Sequence, residues 1–248
     1  MSTKAELKWV RSLHQKKYRE EEGLYLVQGM KLVTELLRSD QRIHSIHASE
    51  AAADHLRDDR VSIWPAHDIE RMGTLEHGNE VVAVVHQPDR PHFADPTSDE
   101  LILALDGITD PGNMGTLLRI ADWFGVKRVL CSLDSVEEFN PKCVQASMGS
   151  ILRVEVHRAH LPRMLDGLRS AGASHYLATM EGESVFNAQL KRPAVLILGS
   201  ESHGPSKEVR ALAAKPISVP RGGEAESLNV AAAASALCME FLRQRSVV

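Results

Sequence analysis

Asn113, Arg119, Glu201, Ser227 and Asn229 are the residues of this chain best placed to do chemistry, and each lies in a loop or helix start that follows a short apolar run. The first group spans Asp106 to Arg119. Asp110, Pro111, Gly112 and Asn113 make a turn there, and a helix should then run to about Phe124 and stop at Gly125. Leu117, Ile120, Ala121 and Phe124 form its expected buried stripe. Arg119 falls off that stripe, where a charge must face solvent or an anion. The second group spans Leu196 to Pro205. Gly199 and Gly204 allow close approach of a ligand to the backbone. Glu201 can bind a ribose hydroxyl or a basic side chain, or simply favour the start of a helix; His203 reads as a loop histidine. The third group is Ile217 to Val230, with a glycine-rich loop before an alanine-rich helix reaching about Arg243. Capping explains one of Ser227 and Asn229 at that helix entrance, but not readily both.

The elements that must carry these residues follow from periodicity. Apolar runs at Leu101–Leu105, Val129–Cys131, Val154–Val156, Tyr176–Ala178, Val195–Leu198 and Ile217–Val219 alternate with helical patterns. Such runs fit strands buried on both faces of a parallel sheet, in a doubly wound α/β domain. Ligands bind at the carboxyl ends of such strands, where all three groups lie. Residues 1–90 predict a small α/β domain: strands at Gly23–Gln28, Ile43–Ala48, Val61–Trp64 and Glu80–His86, and a helix at Met30–Arg38. Residues 91–99, with Pro91 and Pro96, read as a linker to a domain over 100–248.

Composition narrows the function. The 248 residues are 43% apolar and 25% charged, as in ordinary globular proteins. Cys131, Cys143 and Cys238 are odd in number and widely spaced, which argues against a disulfide framework and a zinc site and for a reducing, cytoplasmic compartment. No metal is expected. No secretory or membrane-spanning stretch is visible. The net charge of −4 and 4% aromatic content do not advertise nucleic-acid binding. The local exception is Lys4, Lys8, Arg11, Lys16, Lys17 and Arg19 near the start, which could equally be a solvated helix face. No glycine fingerprint for dinucleotides and no phosphate loop appears.

Together and in this order, the three groups resemble the three motifs of the SpoU (TrmH) family of the SPOUT superfamily. Asn113, Gly115 and Arg119 match the first motif. Leu196, Gly199, Glu201 and Gly204 match the second. Val219, Pro220, Ser227, Leu228, Asn229 and Val230 match the third. The resemblance covers about residues 100 to 245. The first half is similar to the ribosomal-protein-like substrate-binding domain often fused in this family, through Tyr25 to Val33 and Val81 to Val85. It departs at Gln28 and at Gly78, Asn79 and Glu80.

The resemblance implies an α/β parallel sheet with a deep carboxyl-terminal trefoil knot, a homodimer, and S-adenosylmethionine-dependent methylation of a ribose 2′-hydroxyl in RNA. Ribosomal RNA is the implied substrate, with transfer RNA second and a non-catalytic RNA-binding module as the other reading. It makes Asn113, Arg119, Glu201, Ser227 and Asn229 catalytic, and places the cofactor near Ala178, Gly199, Val219 and Leu228. The family proposal treats the arginine as a base. A guanidinium stays protonated in proteins, so the expectation here is that Arg119 clamps phosphate and stabilises the emerging alkoxide.

Overall fold

The computed structural model describes residues 3–74, 78–90, 92–200, 203–212 and 214–245. In chain order, the first elements are α1 (Lys4–Ser12), α2 (Lys16–Glu22), β1 (Leu24–Gln28), α3 (Met30–Leu36), β2 (Ile43–Ala48), α4 (Glu50–Leu56), β3 (Val61–Ile63), α5 (Ala66–Met72) and β4 (Val81–His86). Then come β5 (Leu101–Asp106), α6 (Pro111–Trp123), β6 (Arg128–Cys131), α7 (Pro141–Ala146), β7 (Glu155–Arg158), α8 (Leu161–Ser170), β8 (Ser174–Ser184), β9 (Ala194–Gly199), α9 (Lys207–Ala211), β10 (Lys215–Ser218) and α10 (Val230–Arg245). Two compact units result. One joins residues 1–90 with 137–152; the other joins 91–136 with 153–248.

The first unit is built on a four-stranded sheet in the order β1-β4-β2-β3. β4 is antiparallel to both β1 and β2, while β2 and β3 are parallel. Alternation along the strands sends Leu24, Leu26, Val82 and Val84 into one cluster with Leu7, Val10 and Leu13 near α1 and Ile69 and Met72 of α5. The basic start of the chain is therefore two helices, and it belongs to the core. Deleting the first twenty residues would test folding before it tested RNA binding. Of its six cations, Arg19 is 1% exposed, and Lys16 and Lys17 pair with Glu20 and Glu21. Lys4, Lys8 and Arg11 remain exposed.

Segment 137–152 joins this unit through long-range partners. Arg19 donates to the Leu13 carbonyl at 2.7 Å and pairs with Glu137. Arg90 pairs with Glu138. Tyr25 of β1 packs on Phe139 with ring centroids 4.6 Å apart. None of this was visible in the apolar periodicity.

The second unit is a six-stranded sheet, β10-β8-β9-β5-β6-β7, with every neighbouring pair parallel. β5 is buried at every position and β9 at all but its last, which is why both read as continuous apolar runs. α8 and α9 cover one face through Leu161, Leu165, Leu168 and Val209. α6 packs against α10. The stripe on α6 is Met114, Gly115, Leu117, Leu118 and Ala121. Ile120 and Phe124 are only half-buried, so the expected stripe is rotated toward the residues that meet neighbours on two sides. β8 is longer than expected because its ladder with β10 breaks and resumes. Leu177 pairs with Pro216, and the next pair is Glu183 with Ile217, so residues 178–182 loop out. In the stretch read as a linker, Phe93 packs edge-on to His157 at 4.8 Å, and Arg128 donates to the Ala94 carbonyl.

The three cysteines are buried and form no disulfide, and burial pushes the Cys238 thiol up to about 12. No described helix is long and apolar enough to cross a membrane. No group of metal-ligating side chains occurs among the described residues.

Two buried histidines set an acid limit on stability. Burial first, and then a neighbouring His44 or Arg169, pushes His47 and His175 down to about 4. Unfolded imidazoles protonate near 6.5. The stability from keeping both rings neutral is fully present above that value and is lost as the pH falls toward 4. The melting temperature is expected to be lower at pH 5 than at pH 7.5. Identical melting at both would contradict it.

Candidate active site

Two helix caps bring the first and third sequence groups together. Asp110 caps α6, its Oδ1 accepting from the Asn113 amide at 2.7 Å, and Pro111 fills the first turn. Asn229 caps α10: its Oδ1 accepts from the amides of Ala231 at 2.9 Å and Ala232 at 3.3 Å. That cap fixes the Asn229 amide, so its Nδ2 points outward and donates to Asn113 Oδ1 at 3.1 Å. Asn229 therefore serves as both cap and link. Serine caps about as well as asparagine but is too short to reach Asn113. Asn229→Ser is expected to leave the melting temperature nearly unchanged while activity drops about tenfold, as for one lost positioning hydrogen bond. Equal activity would show that the link is idle.

The second group is tied to the same place from below. Asp106, nearly buried at the end of β5, accepts from the Ser206 amide at 2.7 Å through Oδ2. Ser200 and Gly204 close a tight loop, with the Gly204 amide donating to the Ser200 carbonyl at 2.8 Å. A methyl group at Gly199 would sit 2.1 Å from the Pro205 nitrogen, so the crossing tolerates only glycine. The loops after β5 and β9 border an open cleft of about 390 Å³. Asp106, Thr109, Asp110, Asn113, Ser200 and His203 are among its walls. Strand order reverses between β5 and β9, and such a switch point is where an open parallel sheet binds ligands.

Of the sequence-derived site residues, Asn113 lines this cleft and Asn229 touches it through Asn113. Ser227 and Leu228 are exposed in the preceding loop. Glu201 lies outside the described residues. Arg119 is exposed, not part of the cleft wall, and has no hydrogen bond or ion pair to any described residue. Six positions after Asn113, it points to another side of α6. Sequence reasoning passed over Asp110, read as turn chemistry, Asp106, which merely opened the first group, and Asp134, for which the sequence holds no signal.

Ala178 lies within β8 where its ladder with β10 breaks, and Gly199 and Val219 lie at or just after the carboxyl ends of the flanking strands β9 and β10. Beside Ala178, in the looped-out stretch, the Thr179 hydroxyl is buried with no partner among the described residues. A small ligand bearing polar groups would satisfy it, and the surrounding recognition would come mainly from backbone groups.

A parallel α/β domain whose polar loops meet beyond the ends of its central strands, preceded by a separate small α/β unit, is the class defined by this geometry. The chain belongs to the SpoU rRNA methylase family, whose model it matches over residues 100–239. Residues 4–90 match the MRM3-like substrate binding domain. The chain is 28% identical over 231 residues to the 23S rRNA (guanosine(2553)-2′-O)-methyltransferase RlmP of Bacillus subtilis, covering 92% of each protein. Its structure is similar to that of a TrmH-family protein from Porphyromonas gingivalis, with TM-score 0.88 and 37% identity over 98% of this chain and 99% of that one. It is equally similar to the SpoU methyltransferase AviRb from Streptomyces viridochromogenes in complex with AdoMet, with TM-score 0.88, 27% identity and the same coverage.

Proposed function

We propose that this protein methylates a ribose 2′-hydroxyl of RNA, with ribosomal RNA as substrate and S-adenosylmethionine as methyl donor. The observation that carries the reading is the Asn113–Asn229 bond, which joins two distant motif loops at a cleft on the switch point of the sheet. S-adenosylmethionine, when bound, supplies an electrophilic methyl carbon. Ala178, Gly199, Val219 and Leu228 would hold it, and the buried Thr179 hydroxyl fits such a ligand.

The chain's own residues then position the ribose. Asn113 orients the sugar, with its amide held by Asn229. By the motif match, Ser227 and Glu201 would add hydrogen bonds to the sugar or to Arg119. Arg119, permanently charged, neutralises phosphate and the developing alkoxide. It lies one turn from Trp123, which is 81% exposed, on a helix packed against α10, where Met239 and Leu242 are also exposed. This apolar strip supports a homodimer in which a second copy covers that side of α6 and brings Arg119 into a shared site. The knot accords with β10 lying outside β8 while α10 returns to α6. Three buried cysteines outside any disulfide support a reducing, cytoplasmic setting.

Incubating the protein with methyl-labelled cofactor and ribosomal RNA, then digesting to nucleosides, tests the reading. Label is expected on a 2′-O-methyl nucleoside; label confined to a base would overturn it. The exposed cations of α1 should add to RNA affinity. Replacing Lys4, Lys8 and Arg11 together with glutamine is expected to flatten the salt dependence of binding, by roughly 0.7 in log–log slope for each single-strand phosphate that no longer meets a cation. An unchanged slope would remove α1 from the RNA track.

A further inference from the structure

The first unit carries a row of rings that begins at the edge of its core, where Trp9 packs against the buried cluster, and runs out to solvent. Val82, Val84 and His86 alternate along β4, so His86 shares the face lined by α1 and α5. The β2–β4 register shifts between Ile43 and Ser45. A bulge re-aims the side chain of its extra residue, and here it brings His44 to that same face. Trp9 and His44 have ring centroids 5.2 Å apart, and His44 and His86 5.6 Å apart. The Arg42 guanidinium ends the row, 2.9 Å from His86 Nδ1. His44 and Arg42 are exposed, and Trp9 and His86 are half-buried.

A core would fill such a row with aliphatic groups and would hide it. An indole and an imidazole that are half-buried, with an imidazole and a guanidinium that are exposed, instead offer flat π faces beside positive charge. Unpaired bases stack on such faces, while the backbone phosphates need nearby cations. Arg42 in the row itself and Lys8, the residue before Trp9 on α1, are exposed cations on hand, while Lys4 and Arg11 project from other sides of the helix. Glu6, also on α1, lies 3.9 Å from the buried, neutral His47 ring.

We infer that Trp9, His44, His86 and Arg42 form a stacking shelf for unpaired bases of the RNA substrate. This rests on the RNA reading above and names the surface that grips the RNA. The shelf uses residues separate from those of methyl transfer. It should govern how tightly RNA is held and favour single strands over duplex.

The test is titration of the full chain with a fluorescent single-stranded oligoribonucleotide and with its duplex. The wild type is expected to prefer the single strand. The double variant Arg42→Ala, His44→Ala, at two exposed positions, should lose about tenfold in single-strand affinity, a modest value for base stacking. Trp9→Ala should do the same, and Trp9→Phe, which keeps a ring, should recover most of the loss. In methyl transfer the double variant should raise KM with kcat and cofactor affinity unchanged. Single-strand affinity equal to wild type in the double variant overturns the shelf, as does a wild type that binds duplex equally well. The binding arm needs no catalysis. If no RNA accepts a methyl group yet the variants weaken binding, the shelf stands and the methyltransferase reading fails. If methyl transfer proceeds and binding is unmoved, the reverse holds.

Discussion

Arg119→Ala is expected to lower methyl transfer at saturating substrates by about a hundredfold to a thousandfold, the range seen when one preorganised donor to a developing oxyanion is removed. Cofactor affinity should stay within about twofold, because Arg119 lies on α6 and not in the loops after β8, β9 and β10. Its exposure makes the fold indifferent to the change. Arg119→Lys is the sharper variant. It keeps the charge but loses the planar fork that can bind phosphate and sugar oxygens together. If lysine supports near wild-type turnover with RNA affinity unchanged, the special role of the guanidinium fails. If alanine does so too, Arg119 is not part of the chemistry. Trp123→Glu addresses the second copy: light scattering should show a monomer, and transfer should fall with it.

The largest expected loss of stability comes from Glu137→Ala. Arg19 is buried, and Glu137 is its ion-pair partner. Removing the carboxylate leaves a guanidinium in the interior with the Leu13 carbonyl as its described acceptor. Breaking a buried pair in this way costs about 3–5 kcal/mol. For a chain of this size, that lowers the melting temperature by roughly 6–20 °C. A shift under about 1 °C in scanning calorimetry would mean that the pair contributes nothing. Replacing both partners with apolar residues of similar volume should cost much less than either single change, which distinguishes a stranded charge from the simple loss of an attraction.

The sequence revealed what repeats along the chain and hid what closes across it. β5 and β9 were legible because strands buried on both faces are apolar without interruption. The three polar groups stood out because they follow such runs. The Asn113–Asn229 bond spans 116 positions, and the Arg19–Glu137 pair 118. No local period encodes either. Arg19 sits beside Lys16 and Lys17 in a basic stretch and so read as another solvated cation. Glu137 and Glu138 lie between the apolar runs and carry no periodic signal of their own. Asp110 looked like a turn former and serves as the cap of α6, Asp106 ends β5, and the place of both in the cleft appears only once β5 and β9 lie side by side. His44 shows the limit most plainly. Strict alternation would send it to the opposite face, and a one-residue bulge sends it to the face of Trp9 and His86. Arg119 shows the converse: its motif was clear, but the described cleft does not include it.

The most direct measurement is a map of 2′-O-methyl groups in ribosomal RNA, read by resistance to alkaline cleavage, from cells with and without this protein. The account predicts at least one ribose that resists cleavage when the protein is present, becomes cleavable when it is absent, and stays cleavable when only the Arg119→Ala form is supplied. Identical maps in the two cells, or full restoration by Arg119→Ala, would contradict it.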